Sequence, residues 1–443
     1  MYPESALRLV LAFNRIILQI AIDLPKKSSS MDDLQKAIDK TLLDVPSLFL
    51  APLIRTKLVE SGVKITARRA RSIARQILRG KTAFSIAGTP DAQAKITITD
   101  EDTAIILKKI DAFIENDLPA FLAKAQADTA PHILSTLKKR WPTERRLRVR
   151  EIADFRNRLR GRWGRAISKL HMLVTMSREL GDNINRGSRL APGSDGKVLV
   201  DVITRLHARA CQVAEEVIVL LETGFANGAM ARWRTMHEIS VVADFISRHG
   251  SDCAERYTDH QIVESHKAAL EYEEIRAKLG YDPIPENEMN VIREQYDHVI
   301  NKYGPGFGTQ YGWAAKDLNA KQPTFKDIAR AVGIDHFRGH YRMASHGIHA
   351  NPKGIFFSMS SIFPTEVLLA GPSNAGLADA GHGAAVSLTA ISATLVLLSP
   401  NFDHQVALCA MKILAQEIGV AFLRAHDKLE RDENQLRAID SDL

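Results

Sequence analysis

The chain is poor in cysteine, with only Cys211, Cys253 and Cys409 among 443 residues. These three are widely spaced, which excludes the paired cysteines of a zinc site and the framework of a disulfide-rich secreted protein. Arg8 and Arg15 interrupt the first apolar stretch, so it does not fit the clean apolar run of a signal peptide. These absences predict a reducing, cytoplasmic compartment.

The sequence also lacks a convincing membrane span. The segment Gly383–Leu398 contains no charge and is rich in Ala, Leu and Val. It falls short of the roughly 20 residues that a span needs, and it carries several hydroxyl side chains. We therefore expect a buried helix that packs closely through its small residues, and no membrane partner.

What the chain does have is helical periodicity, with apolar residues recurring every three or four positions. This predicts an all-α, multi-helix bundle, and a hydrophobic content of 45% is enough for a large core. Ile96 and Ile98 alternate with polar residues over 94–99, which favours one short strand. Predicted helices lie at 7–22, 34–43, 105–121, 198–222, 229–248, 254–279 and 324–332, and a loop runs from Gly371 to Gly383. The helix at 324–332 begins with a variant of the capping box, formed by Thr324 and Asp327.

The net charge of +7 is concentrated in the first part of the chain. Between Lys138 and Lys169 lie thirteen Lys and Arg residues, with Trp141 and Trp163 among them. Arginine makes forked contacts to phosphate and indole rings can stack on bases, so we expect a nucleic-acid-binding surface. A solvated helix paired with acids elsewhere is the alternative. The residues expected to bind are Lys138, Lys139, Arg140, Arg145, Arg146, Arg148, Arg150, Arg158 and Arg162.

A change of composition near Gly161 predicts two domains. The arginine runs stop around Gly161, and long helices with apolar periodicity follow to the end of the chain. We therefore expect a basic, mainly helical N-terminal region over 1–160 and a helical domain over 161–443.

The stretch from Tyr341 to Asn351 carries the densest set of chemically capable side chains. On a helix, Tyr341, Arg342, Ser345, His346 and His349 span an arc of roughly 140°. An apolar stripe runs beside this arc, so the polar face is expected at the edge of a core, where a site can form.

A second feature is the pair formed by Arg234 and Glu238, four residues apart in the middle of an apolar stripe. Burying two charges costs several kcal/mol for each before pairing recovers part of it. The pair therefore favours a role beyond packing, and a structural salt bridge between helices is the alternative.

Three short motifs carry a resemblance: Leu221-Glu222-Thr223-Gly224, then the segment from Arg232 to Glu238, then the segment from Tyr341 to His349. In this order they resemble the bacterial domain-of-unknown-function family DUF5677, over about residues 162–398. That family is similar to the all-helical HEPN superfamily. Many HEPN domains are metal-independent ribonucleases of toxin and anti-phage systems, with a hallmark of Arg, four to six residues, then His.

The resemblance implies a HEPN-like C-terminal domain that cleaves RNA. Arg342 and His349 match the hallmark with six residues between them, so His349 is expected as general acid or base and Arg342 as the group that stabilises the phosphorane. His346 and Ser345 would assist, and Tyr341 would position the substrate. The supporting residues are Arg234, Glu238 and Glu222.

Arg342 and His349 lie about 10 Å apart along an unbroken helix, too far for one phosphate to meet both easily. A bend at Gly347, or a composite site shared by two subunits as in HEPN dimers, would resolve this. We therefore expect a homodimer that acts on RNA, with an antitoxin or defence partner as a further possibility.

Two competing functions remain. The same polar face is also typical of a satisfied buried network, which would suit a non-enzymatic nucleic-acid-binding or sensor module. The other function is that of a metal hydrolase, for which close groups are available in Asp335, His336, His340, His346 and His349. The usual histidine pair with an intervening glutamate is missing, however. We therefore expect neither a metal nor another cofactor.

Overall fold

The computed structural model describes residues 44–81, 96–190, 196–349, 352–356 and 368–441. The chain divides into two compact units, residues 1–145 and 146–443. The sequence predicted a domain boundary between residues 160 and 161. Both positions lie inside one long helix, Leu118–Leu190.

All regular structure in the described residues is helical, which confirms the predicted all-α fold. In the first unit, apolar side chains such as Leu50, Ile54, Ile73, Ile106 and Ile110 form a separate core. The helices begin with α1 (Val45–Glu60), α2 (Ala67–Leu78) and α3 (Asp100–Ala112), and α3 continues through a π-helical turn, Phe113–Asp117, into α4 (Leu118–Leu190).

The second unit contains the larger core, and its helices bring apolar side chains together at helical spacing. The helix α5 packs against α6, and both pack against α12, which in turn packs against α13. The elements are α5 (Lys197–Glu222), α6 (Ala226–Leu279), α7 (Glu286–Tyr303), α8 (Ala315–Leu318), α9 (Phe325–Ala331), α10 (Arg338–Ile348), α11 (Pro352–Phe356), α12 (Leu377–Leu398) and α13 (Phe402–Ser441), with 3-10 turns at Pro305–Gly308, Gly312–Ala314 and Asp335–Phe337.

Two of the predicted segments correspond to the single element α6. Its helical path is interrupted at Gly250, whose backbone angles are φ 76° and ψ −160°. Residues other than glycine rarely adopt a positive φ, so this glycine allows a kink between the two halves. The predicted gap between residues 248 and 254 is therefore a kink and not a loop.

A tight turn at Gly224 separates α5 from α6. Its φ is +78°, and a Cβ atom here would lie 2.7 Å from the backbone oxygen of Ser373. The amide of Ser373 donates a hydrogen bond to the Gly224 oxygen over 2.9 Å. Glycine therefore lets the later segment approach the turn closely.

The prediction of a loop from Gly371 to Gly383 is wrong over its second half, because α12 begins at Leu377. Small residues such as Ala380, Ala384 and Ala385 are buried along this helix, which confirms the expected close packing. By length and composition alone, α12 and α13 are long and apolar enough to cross a membrane. In the most apolar window of α12, 61% of the residues are buried inside the protein.

Some predictions fall wholly or partly on other residues. The predicted helices at 7–22 and 34–43, and residues 94–95 of the predicted strand, lie outside the described residues. Residues 96–99 form neither strand nor helix, so they do not bear out a strand. Thr99 instead caps α3, because its hydroxyl accepts a hydrogen bond from the Asp102 amide.

Candidate functional site

The helix α10 positions the residues that the sequence singled out, but it is shorter than expected. It ends at Ile348, and His349 has an extended backbone with φ −102° and ψ 141°. The His349 amide still donates a hydrogen bond to the Ser345 oxygen over 3.3 Å. Its side chain therefore begins from the position that the next helical residue would occupy. Asn351 lies outside the described residues.

Arg342, His346 and His349 share one side of this helix, since their spacings of four and three residues are those of neighbours on a helical face. Arg342 and His349 are exposed, and His346 is half-buried between them. The steps from Arg342 to His346 and from His346 to His349 are about 6 Å and 4.5 Å along the axis. The imidazole of His346 therefore lies between Arg342 and His349 along the helix axis.

Tyr341 faces a different group of side chains, on α6. Its hydroxyl donates to Glu238 Oε1 over 2.5 Å and accepts from Arg234 Nη2 over 2.8 Å. Arg234 Nε also donates to Glu238 Oε1 over 3.1 Å. The guanidinium lies 4.6 Å from the centre of the tyrosine ring. Arg234, Glu238 and Tyr341 therefore form a closed triangle that ties α10 to α6.

The electrostatics of the triangle keep the tyrosine hydroxyl protonated. Burial, together with the charge of Glu238, raises the pKa of Tyr341 above its ordinary value. The hydroxyl therefore acts as a hydrogen-bond donor to the carboxylate. Ser345 is also committed, because its Oγ donates to the Tyr341 backbone oxygen over 2.8 Å.

The Arg234 and Glu238 pair is less buried than the sequence predicted. Their side chains are 23% and 32% exposed. The helix α6 does bury the surrounding stripe, with Met230 and Val241 at 1% and 0% exposure. The pair therefore lies at the edge of the core, next to a cavity, and not within it.

That cavity has a volume of about 380 Å³ and opens between α6, α9 and the start of α10. Arg234, Tyr341 and Phe325 line it, together with Lys326 and Arg338. Phe325, Lys326 and Arg338 were not identified as site residues from the sequence. The only local signal near them was the capping box of Thr324 and Asp327, which the structure confirms at the start of α9.

Glu222 lies apart from this group, at the end of α5. Its carboxylate is 3.0 Å from His171 Nε2 on α4. Both residues line another cavity, of about 360 Å³, with Arg156 and Arg160. Glu222 therefore contacts the basic helix, and its predicted support of the α10 cluster stays a prediction.

The basic residues lie on α4, and most of them are accessible. Arg162 differs, because it is 19% exposed and its Nη2 pairs with Asp432 over 2.8 Å. The exposed members are Lys138, Lys139, Arg140 and Arg145 in the first unit and Arg146, Arg148, Arg150 and Arg158 in the second.

The two tryptophans of this region have different environments. Trp141 is 56% exposed, whereas Trp163 is fully buried. The Trp163 Nε1 donates to the backbone and side-chain oxygens of Asn374 over 3.0 and 2.8 Å. The expectation that both indoles can stack on bases is therefore wrong for Trp163.

No group of three His, Cys, Asp or Glu side chains among the described residues is arranged to hold a metal ion. The side chains of the site supply imidazole, guanidinium, carboxylate and phenol groups.

The second unit defines an all-α, multi-helix protein whose polar groups gather where α6 meets α10. Residues 200–361 match the family model described as Family of unknown function (DUF5677). No curated protein and no solved structure matches the chain. The matched segment contains Glu222, Arg234, Glu238 and the whole of α10, so it supports the predicted relationship to a domain of unknown function.

Proposed function

We propose that the protein is a HEPN-like, metal-independent ribonuclease whose reacting groups are on the exposed side of α10. The observation that carries this proposal is the alignment of Arg342, His346 and His349 on one helical side, with the first and last exposed to solvent. Arg342 and His349 are too far apart along the helix for one phosphate to meet both easily, so the array would meet a phosphodiester together with the same array of a second subunit. An open array of this kind suits a polymeric substrate.

In the proposed reaction, the RNA 2′-hydroxyl attacks the adjacent phosphorus and the bond to the 5′-oxygen breaks. One imidazole accepts the proton of the 2′-hydroxyl, and the other donates a proton to the departing 5′-oxygen. His349 and His346 fill these two roles. Arg342 stabilises the negative charge of the phosphorane through charge-assisted hydrogen bonds.

The triangle of Arg234, Glu238 and Tyr341 supports this reaction indirectly. It fixes α10 against α6 through hydrogen bonds of 2.5 to 3.1 Å, and thereby sets the direction of the exposed side. Tyr341 is then a positioning residue. It is not free to bind substrate, because its hydroxyl is already engaged by Glu238.

The basic part of α4 would recruit RNA. Arg146, Arg148 and Arg150 are exposed on the second unit, and each phosphate contact adds affinity that weakens with salt. We also propose a cytoplasmic homodimer, in which a second subunit completes the site and an antitoxin or defence partner restrains it. A monomer by light scattering at micromolar concentration would contradict the dimer.

The test is cleavage of labelled single-stranded RNA in EDTA by the wild type and by His349→Ala. Loss of a general acid or base reduces rate by about 100- to 10,000-fold. The matched control is His340→Ala, since His340 is also exposed on α10 but lies about 160° around the helix from Arg342 and about 120° from His346.

The expected result is cleavage by the wild type and by His340→Ala, and almost none by His349→Ala. Equal activity of His349→Ala and the wild type would remove His349 from the mechanism. Absence of cleavage by all three would overturn the ribonuclease.

A second function is a non-enzymatic helical nucleic-acid-binding or sensor module. The closed triangle favours it, because its polar groups satisfy one another as they do in a structural network. RNA retained by the wild type without cleavage, and lost when Arg146, Arg148 and Arg150 are replaced by Ala, would support this module. Relief of toxicity on expression by His349→Ala would instead support the ribonuclease.

A further inference from the structure

The cavity between α6, α9 and α10 has the composition of a small-molecule site. Its volume of about 380 Å³ is at the lower end of the range for ligand pockets, about 300 to 1,000 Å³. It lies inside the segment that matches the family model. The exposed side of α10, to which the cleavage reaction is assigned, does not line it, since neither Arg342 nor His349 is among its lining residues.

One part of the cavity is aromatic. Phe325 and Tyr341 stack with ring centroids 5.1 Å apart and an interplanar angle of 25°, and the ring of His237 lies 6.2 and 6.0 Å from them. Tyr311 adds a fourth ring to the lining. Flat aromatic surfaces of this kind favour a planar ligand.

Another part is cationic. Among the described residues that line the cavity, three are cationic, Arg234, Lys326 and Arg338, and one is a carboxylate, Asp335. Burial is the main reason that the pKa of His237 falls to about 4, so this imidazole is neutral near neutral pH. With Glu238 beside Arg234 included, the cations still outnumber the carboxylates by three to two.

The cations are placed differently in the cavity. Lys326 and Arg338 are exposed, whereas Arg234 is 23% exposed. The hydrogen bonds of Arg234 to Glu238 and Tyr341 use Nε and Nη2. Its Nη1 donors can therefore meet a ligand without breaking the triangle.

We propose that this cavity binds a small planar aromatic anion. The ring packs against the aromatic side chains that line the cavity, Phe325 and Tyr341 among them, and the carboxylate or phosphate group contacts Arg234 and Arg338, with Lys326 nearby. The site is separate from the RNA-cleaving groups, so this proposal does not depend on the proposed ribonuclease activity.

Isothermal titration calorimetry of the full-length protein tests the proposal with four probes: benzoate, adenosine monophosphate, adenosine and inorganic phosphate. We expect benzoate or adenosine monophosphate to bind at least about tenfold more tightly than adenosine and phosphate, because only these two combine a ring with an anion. The stronger of the two identifies carboxylate or phosphate as the group that the site prefers.

Arg338→Ala and Lys326→Ala locate the binding site. Each is expected to weaken the bound probe by about tenfold through loss of a charge-assisted contact. Arg330→Ala is the matched control, because Arg330 is 60% exposed on the same short helix as Lys326 and does not line the cavity. Both replaced side chains are exposed, and unchanged circular dichroism would show that the variants fold.

Three results would overturn the proposal. The first is that neither benzoate nor adenosine monophosphate binds. The second is that adenosine or phosphate alone binds as tightly as these two probes. The third is that Arg338→Ala and Lys326→Ala bind the anionic aromatic probe as tightly as Arg330→Ala. RNA cleavage is not measured in this experiment, so its outcome leaves the ribonuclease unaffected.

Discussion

Two arginines of α6 form ion pairs that differ in how deeply they are buried. Arg256 and Asp317 are 6% and 13% exposed, and their closest atoms are 2.5 Å apart. Arg234 and Glu238 are 23% and 32% exposed, at 3.1 Å. The first pair links the second half of α6 to α8, and the second pair lies beside the cavity. The difference in burial separates a structural contact from a candidate functional one.

The guanidinium of the buried pair also bonds to the main chain, whereas that of the half-buried pair bonds to the side chain of Tyr341. Arg256 Nε donates to the backbone oxygen of Trp313 over 3.0 Å, so the guanidinium holds both a carboxylate and a turn of the chain. Removing one member would leave a charge in the interior with no solvent to stabilise it. Around Arg234, water and a bound ligand can replace a lost partner.

The largest expected effect is that of Arg256→Ala. Breaking a buried pair costs about 3–5 kcal/mol of the free energy of unfolding, because Asp317 keeps its charge without a partner. Urea unfolding followed by tryptophan fluorescence would measure it.

The control for this change is Arg248→Ala. Arg248 is 52% exposed on the same helix and pairs with Asp244 over 2.7 Å. An exposed pair of this kind contributes at most about 1 kcal/mol. Equal losses of the free energy of unfolding in the two variants would show that burial does not determine how much each pair stabilises the fold.

A third polar cluster contains no charge and has a pH-dependent effect on stability. His207 is 2% exposed, and its Nε2 lies 3.0 Å from Ser177 Oγ and 3.1 Å from Ser392 Oγ. Burial lowers its pKa from 6.5 to about 4. The unfolded chain therefore binds more protons than the folded protein between these values, and stability falls as the pH falls through that window.

From pH 7 to pH 5, His207 alone should reduce the free energy of unfolding by about 2 kcal/mol. Gln can replace the hydrogen bonds of the imidazole but does not titrate, so His207→Gln should show a smaller loss over the same range. Chemical unfolding at the two pH values measures the difference. An identical loss in variant and wild type would mean that His207 is not the group responsible.

These clusters also show which contacts can be predicted from the sequence alone and which cannot. Helical periodicity predicted the core helices, and the spacing of Arg234 and Glu238 made that pair visible because both residues are on one helix. Arg256 and Asp317 are separated by 61 residues, and no local pattern relates them. The start of α12 before Gly383 was missed because the stretch that begins Gly371-Pro372-Ser373-Asn374 and ends at Gly383 suggested a loop.

The candidate site was predicted in the same uneven way. The grouping of Arg342, His346 and His349 follows from helical geometry, so the sequence contained it. The contact of Tyr341 with Arg234 joins residues 107 positions apart and depends on how α10 packs on α6. The cavity depends further on where α9 packs, and no local pattern gives that position even though the helix itself was predicted.

Arg234→Ala is expected to cost less than the loss of Arg256. Glu238 would lose its cationic partner but would keep the hydrogen bond from Tyr341 and its access to solvent. We expect a loss of about 1–2 kcal/mol in the free energy of unfolding. Urea unfolding under the same conditions measures it, and a loss as large as that of Arg256→Ala would contradict the distinction between the two pairs.

The smallest expected effect is that of Tyr341→Phe, which keeps the ring stacked 5.1 Å from Phe325 and removes only the hydroxyl. Arg234 Nε still pairs with Glu238 at 3.1 Å, so the loss should be about 1 kcal/mol. Tyr272→Phe is the matched control, because that hydroxyl donates to the Asp282 oxygen in an exposed position. A loss no greater than that of the control would show that the tyrosine hydroxyl does not hold α10 to α6, and that the ring contacts do so alone.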